Sequence, residues 1–213
     1  MNVLVIGANG TTGRHVVKLL AESNQHLVKA MIRKTEQTED MEKLGAKPII
    51  ADLEQDFSYA VEDVNAIIFA AGSGSKTGPD KTTAIDEEGA KKAVDIACRK
   101  GIQRFIMLSS MGADNPDAGP EGLQHYLKAK QSADKHLQES SLNYTIVRPG
   151  SLTNDSDTGK IQAKEKIENR NTDISRENVA KVLVESLVTP NVYHKTFEIL
   201  NGDVDIHTAL EEL

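Results

Sequence analysis

The sequence predicts a doubly wound α/β fold: a mainly parallel sheet with helices on both faces, in a single domain. Three observations predict it. A short apolar run, Val3-Leu4-Val5-Ile6, leads at once into Gly7-Ala8-Asn9-Gly10-Thr11-Thr12-Gly13 and then into a helical pattern with Val16, Leu19 and Leu20. Strand-like apolar runs alternate with helix-like stretches from there to Val147. The length of 213 residues and hydrophobic content of 38% suit one domain with a full core.

The elements follow in order. After the first run, strand patterns fall at 27–32, 48–51, 66–71, 105–108 and 144–147. Helical patterns fall between most of them, at 12–22, 39–44, 82–100 and 123–139. Strands alternating with helices imply parallel pairing, and right-handed crossovers favour the order 3-2-1-4-5-6. Pro79 stands where a helix can begin, and Gly101 where one ends. Residues 151–174 are polar and irregular, with a short alternation at Ile161, Ala163 and Ile167. They read as a loop or hairpin covering a ligand crevice, a small C-terminal substrate-covering region. A helix at 177–187, a last strand at 196–200 and a closing helix at 205–213 complete the chain.

The glycine turn carries the first chemical signal. A strand, a glycine-rich turn and a helix are the order needed to hold the pyrophosphate of a dinucleotide. Gly7 ends the strand where a side chain would clash, Gly10 lets backbone approach a phosphate, and Gly13 lets the helix pack on the sheet. With Asn9, Thr11 and Thr12 they form the predicted cradle. Unpaired N–H groups at the helix start, at the positive end of its dipole, face the anion.

The second strand ends in Arg33-Lys34, where an NAD-type site carries an acidic residue for the ribose 2′-hydroxyl. Two cations there attract a 2′-phosphate, so NADP is expected over NAD. Asp52-Leu53, past the third strand, is placed to flank the adenine, with the carboxylate bonded to its amino group. Ala70-Ala71-Gly72, at the fourth strand end, offers small side chains where a coenzyme lies close.

Tyr126 and Lys130 are four apart on one predicted helix, so their side chains are neighbours. The same face holds Leu123, Ala133 and Leu137, which places the lysine inward. An inward ammonium beside a phenol favours the phenolate. Ser109 and Ser110 close the fifth strand, at the carboxyl edge where open sheets bind ligands. A serine hydroxyl there can hydrogen-bond a substrate carbonyl or alcohol. The bland alternative makes Tyr126 a core residue, Lys130 a snorkelling one and the serines strand caps.

Composition removes other classes. A net charge of −7 argues against a nucleic-acid partner. No apolar run reaches the roughly 18 residues of a membrane span, and no secretion signal opens the sequence. Cys98 is the single cysteine, so no internal disulfide forms; it reads as a buried, inert thiol in a cytoplasmic protein. The six histidines lack ligand spacing, and no metal site is expected. Gly72-Ser73-Gly74-Ser75-Lys76-Thr77 is not a phosphate-binding P-loop, because Ser75 stands where that motif needs glycine. No G-x-S-x-G nucleophile elbow is present.

With these residues in view, nearly the whole chain resembles the short-chain dehydrogenase/reductase superfamily. It is most similar to the atypical, NmrA-like branch, with its small bacterial proteins carrying NAD(P)-binding or sugar-epimerase labels. The marks are the glycine turn, Asp52-Leu53, Leu108-Ser109-Ser110, Tyr126 with Lys130, Val147-Arg148-Pro149-Gly150, and the run from Ile174 through Ser175-Arg176-Glu177-Asn178-Val179 to Ala180. The resemblance implies a Rossmann fold. It makes Tyr126 the general acid/base, and Lys130 the group that holds the nicotinamide ribose and favours the tyrosinate. Ser110 would orient the substrate, with Ser109 nearer the coenzyme, and Pro149, Gly150, Ser151 and Leu152 would line the nicotinamide. The expected function is an NADP-dependent oxidoreductase acting on a small carbonyl or alcohol substrate, as a monomer or homodimer. Two alternatives stand beside it: an NADP-binding regulatory sensor without turnover, and an epimerase of a sugar derivative. The long C-terminal region with which extended relatives bind nucleotide sugars has no counterpart here, which weighs against the last.

Overall fold

Val3 and Val5 pack on one side of the sheet and Leu4 and Ile6 on the other, so the first strand is buried on both faces. That double burial is why the strands read as continuous apolar runs rather than alternating ones. The computed structural model describes residues 1–74, 77–169 and 171–213. Ser75 and Lys76, from the glycine-lysine stretch weighed above, lie outside the described residues.

In chain order the elements are β1 (Asn2–Ile6), α1 (Thr11–Glu22), β2 (Leu27–Ile32), α2 (Thr38–Lys43), β3 (Lys47–Ile50), β4 (Ala66–Phe69) and α3 (Pro79–Thr82). A π-helical segment, Thr83–Gly89, joins α3 to α4 (Ala90–Lys100). Then come β5 (Arg104–Leu108), α5 (Glu121–Gln138), β6 (Asn143–Pro149), β7 (Leu152–Thr153), β8 (Lys160–Lys164) and β9 (Ile174–Ser175). The chain closes with α6 (Arg176–Glu185), β10 (Lys195–Asn201), β11 (Val204–Asp205) and α7 (Ile206–Glu211).

The main sheet has nine strands in the order β11-β8-β10-β6-β5-β4-β1-β2-β3. The predicted order 3-2-1-4-5-6 is its core, and β10 continues it in parallel beside β6. Helices α1 and α6 cover one face, through Val16, Leu20, Val179 and Leu183. Helices α4 and α5 cover the other, through Val94, Ala97, Ala133 and Leu137. The left-handed Gly101 (φ +70°) ends α4, and Pro79 begins α3. No helix of the described residues is long and apolar enough to cross a membrane.

Three expectations change. The segment 151–174 is not a loop or hairpin standing over the crevice as a whole: β8 is a strand of the main sheet, antiparallel to β10 and β11. Its alternation is that of a strand near a sheet edge, with Ile161 buried between half-covered or exposed Lys160 and Gln162. β7 and β9 pair with each other. Cys98 is half-buried rather than buried, because it lies at the margin of the α4 face. Leu123, placed inward by helical spacing, is 51% exposed, since α5 enters the core only from Leu127 onward.

Two glycines of the first turn are fixed by contact. Gly7 has φ +85°, and a Cβ there would lie 2.5 Å from the Ala71 amide nitrogen. A Cβ at Gly13 would lie 2.1 Å from the Gly7 carbonyl oxygen. The turn therefore has β4's outgoing chain on one side and α1 pressed against the other.

Candidate active site

Parallel pairing puts the carboxyl ends of β1 to β6 along one edge of the sheet, and the ladder continues past the strands into the loops there. Ala70 donates to the Ile6 carbonyl (2.9 Å), Ala51 to Ile32 (2.9 Å), Ser109 to Val147 (2.8 Å) and Met111 to Pro149 (3.0 Å). The neighbours β1 and β4 are where the strand order reverses, the place where open α/β sheets leave a ligand crevice. The glycine turn, Ala70-Ala71-Gly72, Ser109-Ser110 and Pro149-Gly150 are all brought to this edge.

The first turn of α1 begins at this edge without a side-chain cap, because its capping residue is Gly10. Its early N–H groups thus keep their capacity for an anion. Arg14, which the sequence reading passed over, donates to the Asn9 side-chain oxygen (2.5 Å) and to Asp40 Oδ2 (2.7 Å). The Arg14 guanidinium holds the Asp40 carboxyl below the usual carboxylate range. A cation directly after the third glycine was the signal available for it. Arg33 and Lys34 are exposed at the end of β2, where Gln37 Oε1 accepts from both their amides at 3.1 and 3.2 Å.

Asp52 is half-buried, and its carboxylate accepts from the Glu54 amide (3.0 Å). Leu53 is buried and packs against Gly89. Ser151 is exposed and Leu152 half-buried, with the Leu152 carbonyl accepting from Arg176 (3.2 Å).

Tyr126 is half-buried on α5, and the Lys130 ammonium lies 5.7 Å from the centre of its ring. Lys130 itself is 3% exposed. Its Nζ sits 3.1 Å from Asp86 Oδ1 and donates to the Leu108 carbonyl at 3.3 Å. Burial works against its charge, but the acidic groups of Tyr126, Asp86 and Asp134 outweigh burial and hold the lysine above its ordinary value. The inward cation beside a phenol is therefore present, together with a carboxylate the sequence reading did not name.

The two serines part company. Ser109 is buried, and its hydroxyl donates to Asp134 Oδ2 at 2.8 Å. Ser110 is half-buried, with its hydroxyl on the Met111 carbonyl (3.2 Å). Arg148 Nε and Nη2 donate to the same Asp134 oxygen, at 3.0 and 2.8 Å. Burial lifts the Asp134 carboxyl above the usual range, against the pull of Arg148 and Ser109. Asp134 thus ties β5, β6 and α5 together beneath the site. Both acids left a trace in the sequence: Asp86 falls on the inward stripe of Thr82, Ile85, Gly89 and Ala90, and Asp134 follows Lys130 by one helical turn beside inward Ala133. Two surface hollows of about 320 and 640 Å³ lie beside α7 and are lined by none of these residues.

Residues 7–190 match the model of a family described as NAD(P)H-binding. A Bacillus subtilis protein named an uncharacterized sugar epimerase is 42% identical over the whole of both chains. The structure of a Bacillus halodurans protein, provisionally named an NAD-dependent epimerase/dehydratase, is 45% identical, with a TM-score of 0.97 over the whole of both chains. A Lactococcus lactis oxidoreductase is 28% identical with a TM-score of 0.89, covering all of this chain and 96% of that one. A family match over most of the sequence and relatives aligned end to end agree with the glycine turn at the sheet's switch point: the chain belongs to the NAD(P)H-binding family.

Proposed function

We propose that the protein is an NADP(H)-dependent oxidoreductase interconverting a small carbonyl compound and its alcohol. The observation that carries this reading is the buried Lys130 ammonium, 5.7 Å from the centre of the Tyr126 ring at the ligand edge of the sheet. The residues present fit a pyridine dinucleotide: Gly10 leaves the start of α1 free of a side-chain cap, and Gly7 and Gly13 shape a turn that no Cβ would fit. The glycine turn would hold the pyrophosphate and Lys130 the nicotinamide ribose.

When bound, the coenzyme supplies or accepts hydride at C4 of its nicotinamide. In the reductive direction the Ser110 hydroxyl donates a hydrogen bond to the substrate oxygen, and the Tyr126 hydroxyl gives that oxygen its proton. The Lys130 ammonium stabilises the tyrosinate left behind. Oxidation of an alcohol runs the same proton path backwards, with Tyr126 as base. NADPH consumption over a panel of aldehydes, ketones and quinones tests this. Turnover with at least one member supports the reading, and tight coenzyme binding with no turnover across the panel refutes it.

The preference for NADP rests on Arg33 and Lys34, exposed at the β2 end. Their joint replacement by alanine is expected to weaken NADP binding by about ten- to a hundredfold, the scale of lost charge-assisted hydrogen bonds. NAD affinity should stay unchanged, and calorimetric titration of both coenzymes checks the ratio. Epimerisation of a sugar derivative by transient oxidation is the second reading, favoured by the Bacillus subtilis relative named a sugar epimerase and the Bacillus halodurans one named an epimerase/dehydratase. Coenzyme that remains bound and is never net reduced while a sugar is interconverted would select it.

A further inference from the structure

Asp86 is 0% exposed, and each of its two oxygens faces a different part of the site. Oδ1 is 3.1 Å from the Lys130 ammonium. Oδ2 accepts the Ser73 backbone N–H at 2.9 Å. Ser73 is further held by a hydrogen bond between its hydroxyl and that of buried Thr82 (3.1 Å). Gly72 lies so close that a Cβ there would stand 3.2 Å from Oδ1. The loop thus anchored follows Ala70-Ala71, the backbone that abuts Gly7 in the glycine turn. Asp86 sits in the π-helical segment Thr83–Gly89, a rare geometry found disproportionately at functional sites.

We propose that Asp86 is a positioning residue, a single buried carboxylate that sets both the Lys130 ammonium and the Gly72-Ser73 backbone beside the coenzyme. The inference rests on the coenzyme role given to Lys130 above. It adds that the lysine is not free to choose its place: the charge that fixes it belongs to another helix, and the same group fixes the loop bordering the glycine turn. A carboxylate that merely neutralised a buried cation would need only one of these contacts.

The two contacts separate by substitution. Asp86→Asn keeps an oxygen acceptor for the Ser73 amide but removes the charge facing Lys130, whereas Asp86→Ala removes both. NADPH titration, followed by coenzyme fluorescence, reads the result without any substrate. Lys130→Met is expected to weaken NADPH binding about tenfold, and Asp86→Asn by a similar factor, because the freed lysine leaves the ribose. Added to Lys130→Met, Asp86→Asn should cost less than about twofold, since its effect runs through the lysine. Asp86→Ala should still weaken binding in the Lys130→Met background, because the Ser73 amide has lost its acceptor. Equal losses from Asp86→Asn in both backgrounds, or none in either, overturn the proposal. Should Asp86→Asn fail to fold around an unpaired cation, the comparison moves to the Lys130→Met background, which holds no buried charge at these positions once Asp86 is replaced. There Asp86→Ala must bind more weakly than Asp86→Asn, and equality overturns the proposal. Wild-type protein that binds no NADPH removes this inference and the proposed function together. Additive losses in a protein that binds and turns over remove the inference alone.

Discussion

Tyr126→Phe is expected to lower turnover by about a hundred- to ten-thousandfold, the range attributed to a positioned general acid or base. That corresponds to about 3–5 kcal/mol of transition-state stabilisation. The substitution removes one oxygen and keeps the ring, which is half-buried, so the fold and the place of Lys130 persist. NADPH binding should therefore change little while kcat collapses. The split separates proton transfer from coenzyme retention. Steady-state rates with the best substrate of the panel, beside a coenzyme titration, check it. Wild-type kcat in the Tyr126→Phe protein would end the mechanism proposed for this residue.

The largest effect on stability is expected at Asp134. Its carboxylate is 1% exposed, and Arg148, whose side chain is 12% exposed, is bonded to it twice. Burial raises the Asp134 carboxyl against the pull of the guanidinium, and in buried pairs of this kind desolvation offsets much of the attraction. The pair as a whole is then of modest worth, but half of it is expensive. Asp134→Ala leaves a largely buried guanidinium and the Ser109 hydroxyl without their partner. The expected loss is about 3–5 kcal/mol. For a domain of this size, that lowers Tm by about 6–20 °C. Asp134→Leu combined with Arg148→Met removes both charges and should recover most of the loss. Thermal unfolding of the two variants checks the order. A single variant as stable as the wild type would show that Asp134 does not carry the crevice floor.

Much of this architecture is legible along the chain because it is local. Burial on both faces writes the β1 pattern as unbroken Val-Leu-Val-Ile, and the crossover rule turns alternating strands and helices into the order 3-2-1-4-5-6. Gly101 and Pro79 mark helix ends by backbone chemistry that needs no tertiary partner. The inward setting of Lys130 is legible from helical spacing, although the same spacing also places Leu123 inward, and it is exposed because α5 enters the core only from Leu127. Short strands near the sheet edge are harder. β8 alternates Ile161 and Ala163 with lysines and glutamine, a signal too short and too polar to tell from a loop until β10 pairs with it.

What the sequence by itself determined is the strand, glycine turn and helix of Val3–Leu20, because they are contiguous and their conformations follow from local backbone geometry. What only the tertiary structure decided is the electrostatics around Tyr126 and Lys130. Asp86 meets Lys130 across 44 residues of chain, and Asp134 gathers Ser109, just past β5, and Arg148 of β6. No periodicity encodes which buried charge finds which. The pairing is dictated by the cost of leaving any one of them alone in a low-dielectric core, and that cost is felt only once the helices have closed on the sheet.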